Sequence, residues 1–143
     1  MLKFILIFYF IFNSLVSKEY YLTLRNDKVN LRLGPSFDYP IKIIYKKKFL
    51  PVLIKDQSEN FRKVQDHENN SGWIHISQLS KKKSVITFKE LILYTRPTKY
   101  SKPLVNIEKG RLLLVSKCRN SWCKIKSGEY SGWVRKDGLW GRL

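Results

Sequence analysis

The sequence predicts an all-β protein made of two small look-alike modules in tandem. Three observations carry this. First, a phrase occurs twice: Ser71-Gly72-Trp73-Ile74 returns as Ser131-Gly132-Trp133-Val134. Leu31-Arg32-Leu33-Gly34-Pro35 likewise precedes Leu93-Tyr94-Thr95-Arg96-Pro97 by 62 positions, and Phe61-Arg62-Lys63-Val64 precedes Trp122-Cys123-Lys124-Ile125 by 61. A nearly constant offset marks a duplicated structural unit. Second, short β-branched or aromatic runs alternate with clusters of Gly, Asn, Ser, Asp and Pro, as in a small barrel or sandwich. Third, no window after residue 20 sustains apolar residues at i, i+3, i+4 and i+7 over three turns, so helices are not expected.

The elements follow in chain order. Residues 1–17 read as a signal peptide: Lys3, an apolar run from Phe4 to Phe12, Leu15-Val16, then the small Ser17 as a cleavage point. The run is short for a membrane span. A cleaved signal peptide is the leading reading and an uncleaved anchor the alternative; either exports the rest. Repeat one is expected over 28–80. In Asn30-Leu31-Arg32-Leu33, the two leucines share one face of a strand and Arg32 points the other way. Gly34-Pro35 ends that strand, and Tyr39-Pro40 restarts an extended segment. Val52-Leu53-Ile54 and Phe61 to Val64 are the next strands. Gly72 permits a sharp reversal, and Trp73 is weighed both as a core plug and as a binding residue. Lys81-Lys82-Lys83 is a short joint that restricts relative motion. Repeat two, over 84–141, has strands at Val85 to Phe88, Leu112 to Val115 and Trp122 to Ile125, with Trp133 in the place of Trp73.

Two modules of this size would each be marginal alone, so mutual packing or a staple is expected. Cys118 and Cys123 flank Arg119-Asn120-Ser121-Trp122. An exported chain with an even cysteine count suggests a disulfide, and a tight turn brings facing strand positions within range. Two free thiols remain the alternative. A metal site is disfavoured, because His67 and His75 lie in the other repeat and the spacing is not that of a zinc site.

The formal net charge is +17, from 28 basic and 11 acidic residues. That balance fits a polyanion partner. Lysine outnumbers arginine 20 to 8 and the chain contains no alanine, so a compositional bias with solvated lysine turns is the leading reading of the charge and a functional electrostatic surface the alternative.

Val29-Asn30-Leu31-Arg32-Leu33-Gly34-Pro35-Ser36, Tyr39-Pro40 and Gly72-Trp73-Ile74 resemble the bacterial SH3 domain (SH3b) family. The closing Gly132-Trp133-Val134-Arg135-Lys136 and Leu139-Trp140-Gly141, with the Cys118–Cys123 hairpin, resemble its tandem form in exported proteins. The resemblance covers about 28–141. It implies two tandem SH3-like β-barrels of five or six strands, acting as a targeting or binding module for cell-wall peptides and often found beside a hydrolase. Repeat two lacks the glycine of the family's first turn: Arg96 stands there, without glycine's freedom at positive φ. A peptide groove is therefore expected in repeat one.

The aromatic pairs Tyr39/Tyr100, Phe61/Trp122 and Trp73/Trp133 are expected to correspond between repeats. Arg32, Tyr39, Trp73 and Tyr100 are the candidate binding residues, with the loop tyrosines placed to line a shallow groove. No nucleophile elbow or acid pair marks catalysis, and no catalytic residue, metal or cofactor is expected. His67 lies in a polar loop, and His75 is read as packing or facing solvent. The expected function is an exported, non-catalytic binder of peptidoglycan, a cell-wall peptide or another envelope protein. The rivals are an anionic-polymer or membrane-surface binder using the lysines, and an unrecognised hydrolase. Export argues against nucleic acid.

Overall fold

The computed structural model describes residues 18–143; residues 1–17, where the signal segment is expected, lie outside the described residues. The first sheet comprises β1 (Tyr20–Leu24), β2 (Val29–Arg32), β3 (Ile41–Tyr45), β4 (Pro51–Ser58), β5 (Phe61–Gln65), β6 (Ser71–His75) and β7 (Leu79–Ser80). Their spatial order is β3-β2-β6-β5-β4-β1-β7. The second comprises β8 (Ser84–Thr87), β9 (Leu91–Tyr94), β10 (Pro103–Ile107), β11 (Leu112–Arg119), β12 (Trp122–Ser127), β13 (Tyr130–Arg135) and β14 (Leu139–Gly141). Its order, β10-β9-β13-β12-β11-β8-β14, is that of the first sheet repeated. Each sheet thus has seven strands rather than five or six, because the first and last short strands of each module pair with one another. The first sheet begins at Tyr20, ahead of Lys28.

The alternation of the strands builds two cores. In β2, Val29 and Leu31 are buried while Asn30 and Arg32 face outward. Leu33 does not share the face of Leu31: the register shifts at Leu31/Arg32, the strand ends, and Leu33 is 57% exposed. Ile74 and Val134, not the tryptophans before them, enter the cores. The expectation that Trp73 and Trp133 plug the barrels is therefore corrected. Side chains alternate across a strand, so both rings lie on the outer faces. There Trp73 stays partly exposed, and Lys117 and Arg119 cover Trp133.

Three turns at positive φ recur in both modules with different residues: Phe49 and Gly110 (66° and 84°), Glu59 and Asn120 (50° and 54°), Asn69 and Gly128 (66° and 57°). The Asn120 turn closes the β11–β12 hairpin. Cys118 there faces Cys123 in register with Cα atoms 4.0 Å apart, and the two form a disulfide. Cys123 is fully buried in the second core, so the staple ties the hairpin to its centre.

The modules share packing. Ile86 of β8 sits 3% exposed in the first module's core, beside which Leu112 also packs. The Tyr21 and Trp140 rings meet edge to face at 5.1 Å. Arg142 donates from Nη1 to the Tyr21 carbonyl at 2.7 Å, and Ser84 donates from Oγ to the Phe49 carbonyl.

Candidate functional site: a cationic aromatic groove on the first module

Strand β2 sends Asn30 and Arg32 to the outer face of the first sheet, on alternate positions, and Lys28, just before the strand, stands beside them. Antiparallel register places Phe61 of β5 opposite His75 of β6 on that face. The loop from Leu33 to Pro40 overhangs them with Phe37. Together with Ser77 and Gln78 these side chains line an open groove of about 350 Å³.

Its aromatic part is a three-ring cluster. Phe37 stacks on His75 at 5.1 Å and meets Phe61 edge-on at 5.2 Å, and Phe61 meets His75 edge-on at 5.1 Å. Phe37 is 65% exposed, so this ring faces solvent over the groove. The Arg32 guanidinium lies 5.3 Å from the centre of the Phe37 ring. It donates from Nη1 to the carbonyls of Phe37 and Tyr39 at 3.1 and 2.9 Å. One cation therefore orders the loop and presents its remaining donors to the groove, where a fork of N–H groups suits a carboxylate. The Ser77 amide donates to His75 Nδ1 at 3.1 Å, so a neutral His75 carries its hydrogen on Nε2. No carboxylate lines the groove, whereas Lys28 and Arg32 both do.

The second module has the same surface with different chemistry. Its register puts Tyr94 opposite Trp133, as Arg32 is opposite Trp73. Trp122 is opposite Arg135, as Phe61 is opposite His75. The equivalent hollow, about 300 Å³, is lined by Lys89, Glu90, Ile92, Tyr94, Arg135 and Asp137. Asp137 lies 3.7 Å from Lys89 Nζ and 3.8 Å from Arg135 Nε, so both cations are compensated internally.

The expected binding residues divide. Arg32 lines the groove. Tyr39 supports it: its carbonyl holds Arg32, and its ring lies over Gly34. Trp73 is Arg32's cross-strand neighbour on the outer sheet face, outside the groove's lining. Tyr100 is 85% exposed in the other module, with Lys99 Nζ 5.3 Å from its ring centre.

The expected Tyr39/Tyr100 pairing is corrected by the loop hydrogen bonds. Tyr39 N–H donates to the Ser36 carbonyl as Ser101 N–H does to that of Thr98. Tyr39 therefore corresponds to Ser101, and Tyr100 to Asp38. Gly34 is needed for close packing and not for a left-handed backbone. Both loops form the same turn bonds, and Gly34 is not at positive φ. A Cβ on Gly34 would lie 2.4 Å from the Tyr39 ring, so glycine is required for close approach. Where Ser101 replaces that ring, Arg96 is accommodated.

Sequence reasoning missed Phe37, and it left His75 without a site. Phe61 and His75 could have been paired by folding β5 onto β6 about the Glu68-Asn69-Asn70 turn. No local pattern announces Phe37, because its position depends on how the loop crosses the sheet.

A family model described as Bacterial SH3 domain matches residues 25–81 and again 88–141. The chain belongs to the bacterial SH3 domain family, as two tandem copies. Domains of this family are cell-wall-binding modules. No curated protein matches the chain. Among solved structures, the chain is similar to NlpC2 from Trichomonas vaginalis, with 14% identity, TM-score 0.41, and coverage of 87% of this chain and 49% of that one. NlpC1 from the same organism gives 14% identity, TM-score 0.39, and coverage of 88% and 47%. An NlpC/P60 family protein from Bacillus cereus gives 15% identity, TM-score 0.37, and coverage of 84% and 55%. The chain thus spans about half the length of these structures.

Proposed function

We propose that this protein is a non-catalytic binding module of the cell envelope, and that the groove of its first module holds an extended, carboxylate-bearing cell-wall peptide. The carrying observation is the groove itself: Lys28 and Arg32 without an opposing carboxylate, beside the exposed Phe37 ring. Peptide backbone would lie along the aromatic rings, and a carboxylate would meet the guanidinium. Membership of a cell-wall-binding family supports the reading. So does the compensated second hollow, which leaves the second module as a disulfide-stapled support. An exported location belongs to the same proposal; the disulfide supports an oxidising compartment. Intact-mass analysis of the protein from the envelope fraction tests it, since retention of Met1 in the cytosol contradicts it.

The binding test is retention on purified peptidoglycan at low and high salt, with the Arg32→Ala and Phe37→Ala variants. Both side chains lie at the surface, so the fold survives their removal. Retention that persists in high salt and drops at least tenfold in each variant supports groove recognition. Retention unaffected by either variant refutes it.

A further inference from the structure

Lys46-Lys47-Lys48 and Lys81-Lys82-Lys83 are far apart in sequence, but the fold joins them. Phe49, which ends the first run, accepts a hydrogen bond at its carbonyl from Ser84, which follows the second. Lys48 Nζ and Lys82 Nζ lie 5.1 and 5.8 Å from the centre of the same Phe49 ring. All six lysines are exposed, and among the described residues none forms an ion pair. Arg142 adds a cation by donating to the Lys81 carbonyl at 3.1 Å. The ring face offsets only part of the repulsion between ammonium groups gathered here.

Apolar surface adjoins this cluster. Lys81 also stands at an open groove of about 490 Å³ lined by Tyr20, Ile76 and Leu79, with Arg25 and Arg62 on its rim. Tyr20 and Ile76 are 43% and 39% exposed.

We propose that this face docks on an anionic lipid membrane, the lysines meeting lipid phosphates and the adjoining groove meeting the hydrocarbon edge of the interface. A nucleic acid or an anionic polymer would satisfy the lysines but leave the apolar groove in water. A lipid interface offers phosphate and hydrocarbon side by side. The surface is separate from the Arg32 groove, and the inference does not depend on peptide binding there.

The experiment is co-sedimentation of the full chain with phosphatidylcholine vesicles, with and without phosphatidylglycerol, at low and high salt. Binding is expected only with the anionic lipid and is expected to fall with salt. Neutralising one lysine should weaken it about fivefold, so changing either triad to glutamine should weaken it about a hundredfold. Arg32→Ala should bind vesicles like the unaltered chain. Circular dichroism should be unchanged in the two triad variants, because the altered lysines are exposed. Equal binding to neutral vesicles overturns the proposal, as does a response to only one triad. A duplex oligonucleotide or polyglutamate bound as tightly as the anionic vesicles would overturn the assignment to lipid.

Discussion

Replacing Ile86 by alanine tests whether the two modules form one cooperative unit. Ile86 belongs to the second module by strand pairing, yet it lies 3% exposed among the first module's core residues Leu24, Leu50 and Val52. The change removes three carbons. At about 0.8 kcal/mol each, transfer alone accounts for about 2.4 kcal/mol. The cavity adds to that, within the range of about 2 to 5 kcal/mol for such truncations. A total near 3 kcal/mol is a large share of the roughly 5 to 15 kcal/mol that holds a domain folded. For a unit of this size it corresponds to a fall in Tm of about 10 °C. The assay is urea unfolding, with hydrogen exchange read by mass spectrometry over β4–β6 and β11–β13 separately. The expected result is one transition, with the Ile86→Ala midpoint lowered equally in both regions. Two transitions, with only the second module's amides losing protection, would refute the shared core.

Further outcomes follow from particular contacts. Reducing the Cys118–Cys123 disulfide should cost about 2 kcal/mol, because the closed loop is short; thiol titration of the denatured, unreduced protein should find no free cysteine. Burial, together with the 2.8 Å hydrogen bond from its hydroxyl to Asp66, holds the Tyr45 pKa well above the ordinary tyrosine value of 10.0. Stability from this raised pKa is fully present below about pH 10 and is lost as pH rises beyond it. Stability should therefore fall less steeply above that pH in Tyr45→Phe, and superimposable curves would exclude the contribution. Gly34→Ala should displace the Tyr39 ring, which its Cβ would approach to 2.4 Å, and weaken peptidoglycan retention with little change in Tm. Tyr100→Ala, in the other module's exposed loop, should leave retention unaltered.

Much of the architecture is legible in the chain. Repeated Gly-Trp phrases at a steady offset mean one topology used twice, and the period-2 pattern of Val29 to Arg32 alone sends Arg32 outward. The Cys118–Cys123 spacing matches a two-residue hairpin turn because facing positions in such a hairpin have a fixed separation. These are local consequences of backbone geometry.

Contacts between segments that no local pattern links arise only when the chain packs on itself. Phe37 reaches His75 because a loop crosses a sheet face, and Tyr39 rests on Gly34 because that loop folds back on itself. Correspondence between the repeats fails at Tyr100 for a related reason: turn hydrogen bonds set the alignment, and a matching residue type one position away does not. Ile86 crosses into the neighbouring core, and two lysine runs meet around Phe49, because the packing of one module on the other sets both. Side-chain periodicity records which face of a strand is apolar. It carries no information about which distant surface will cover that face, since burial is non-directional and any complementary apolar surface satisfies it.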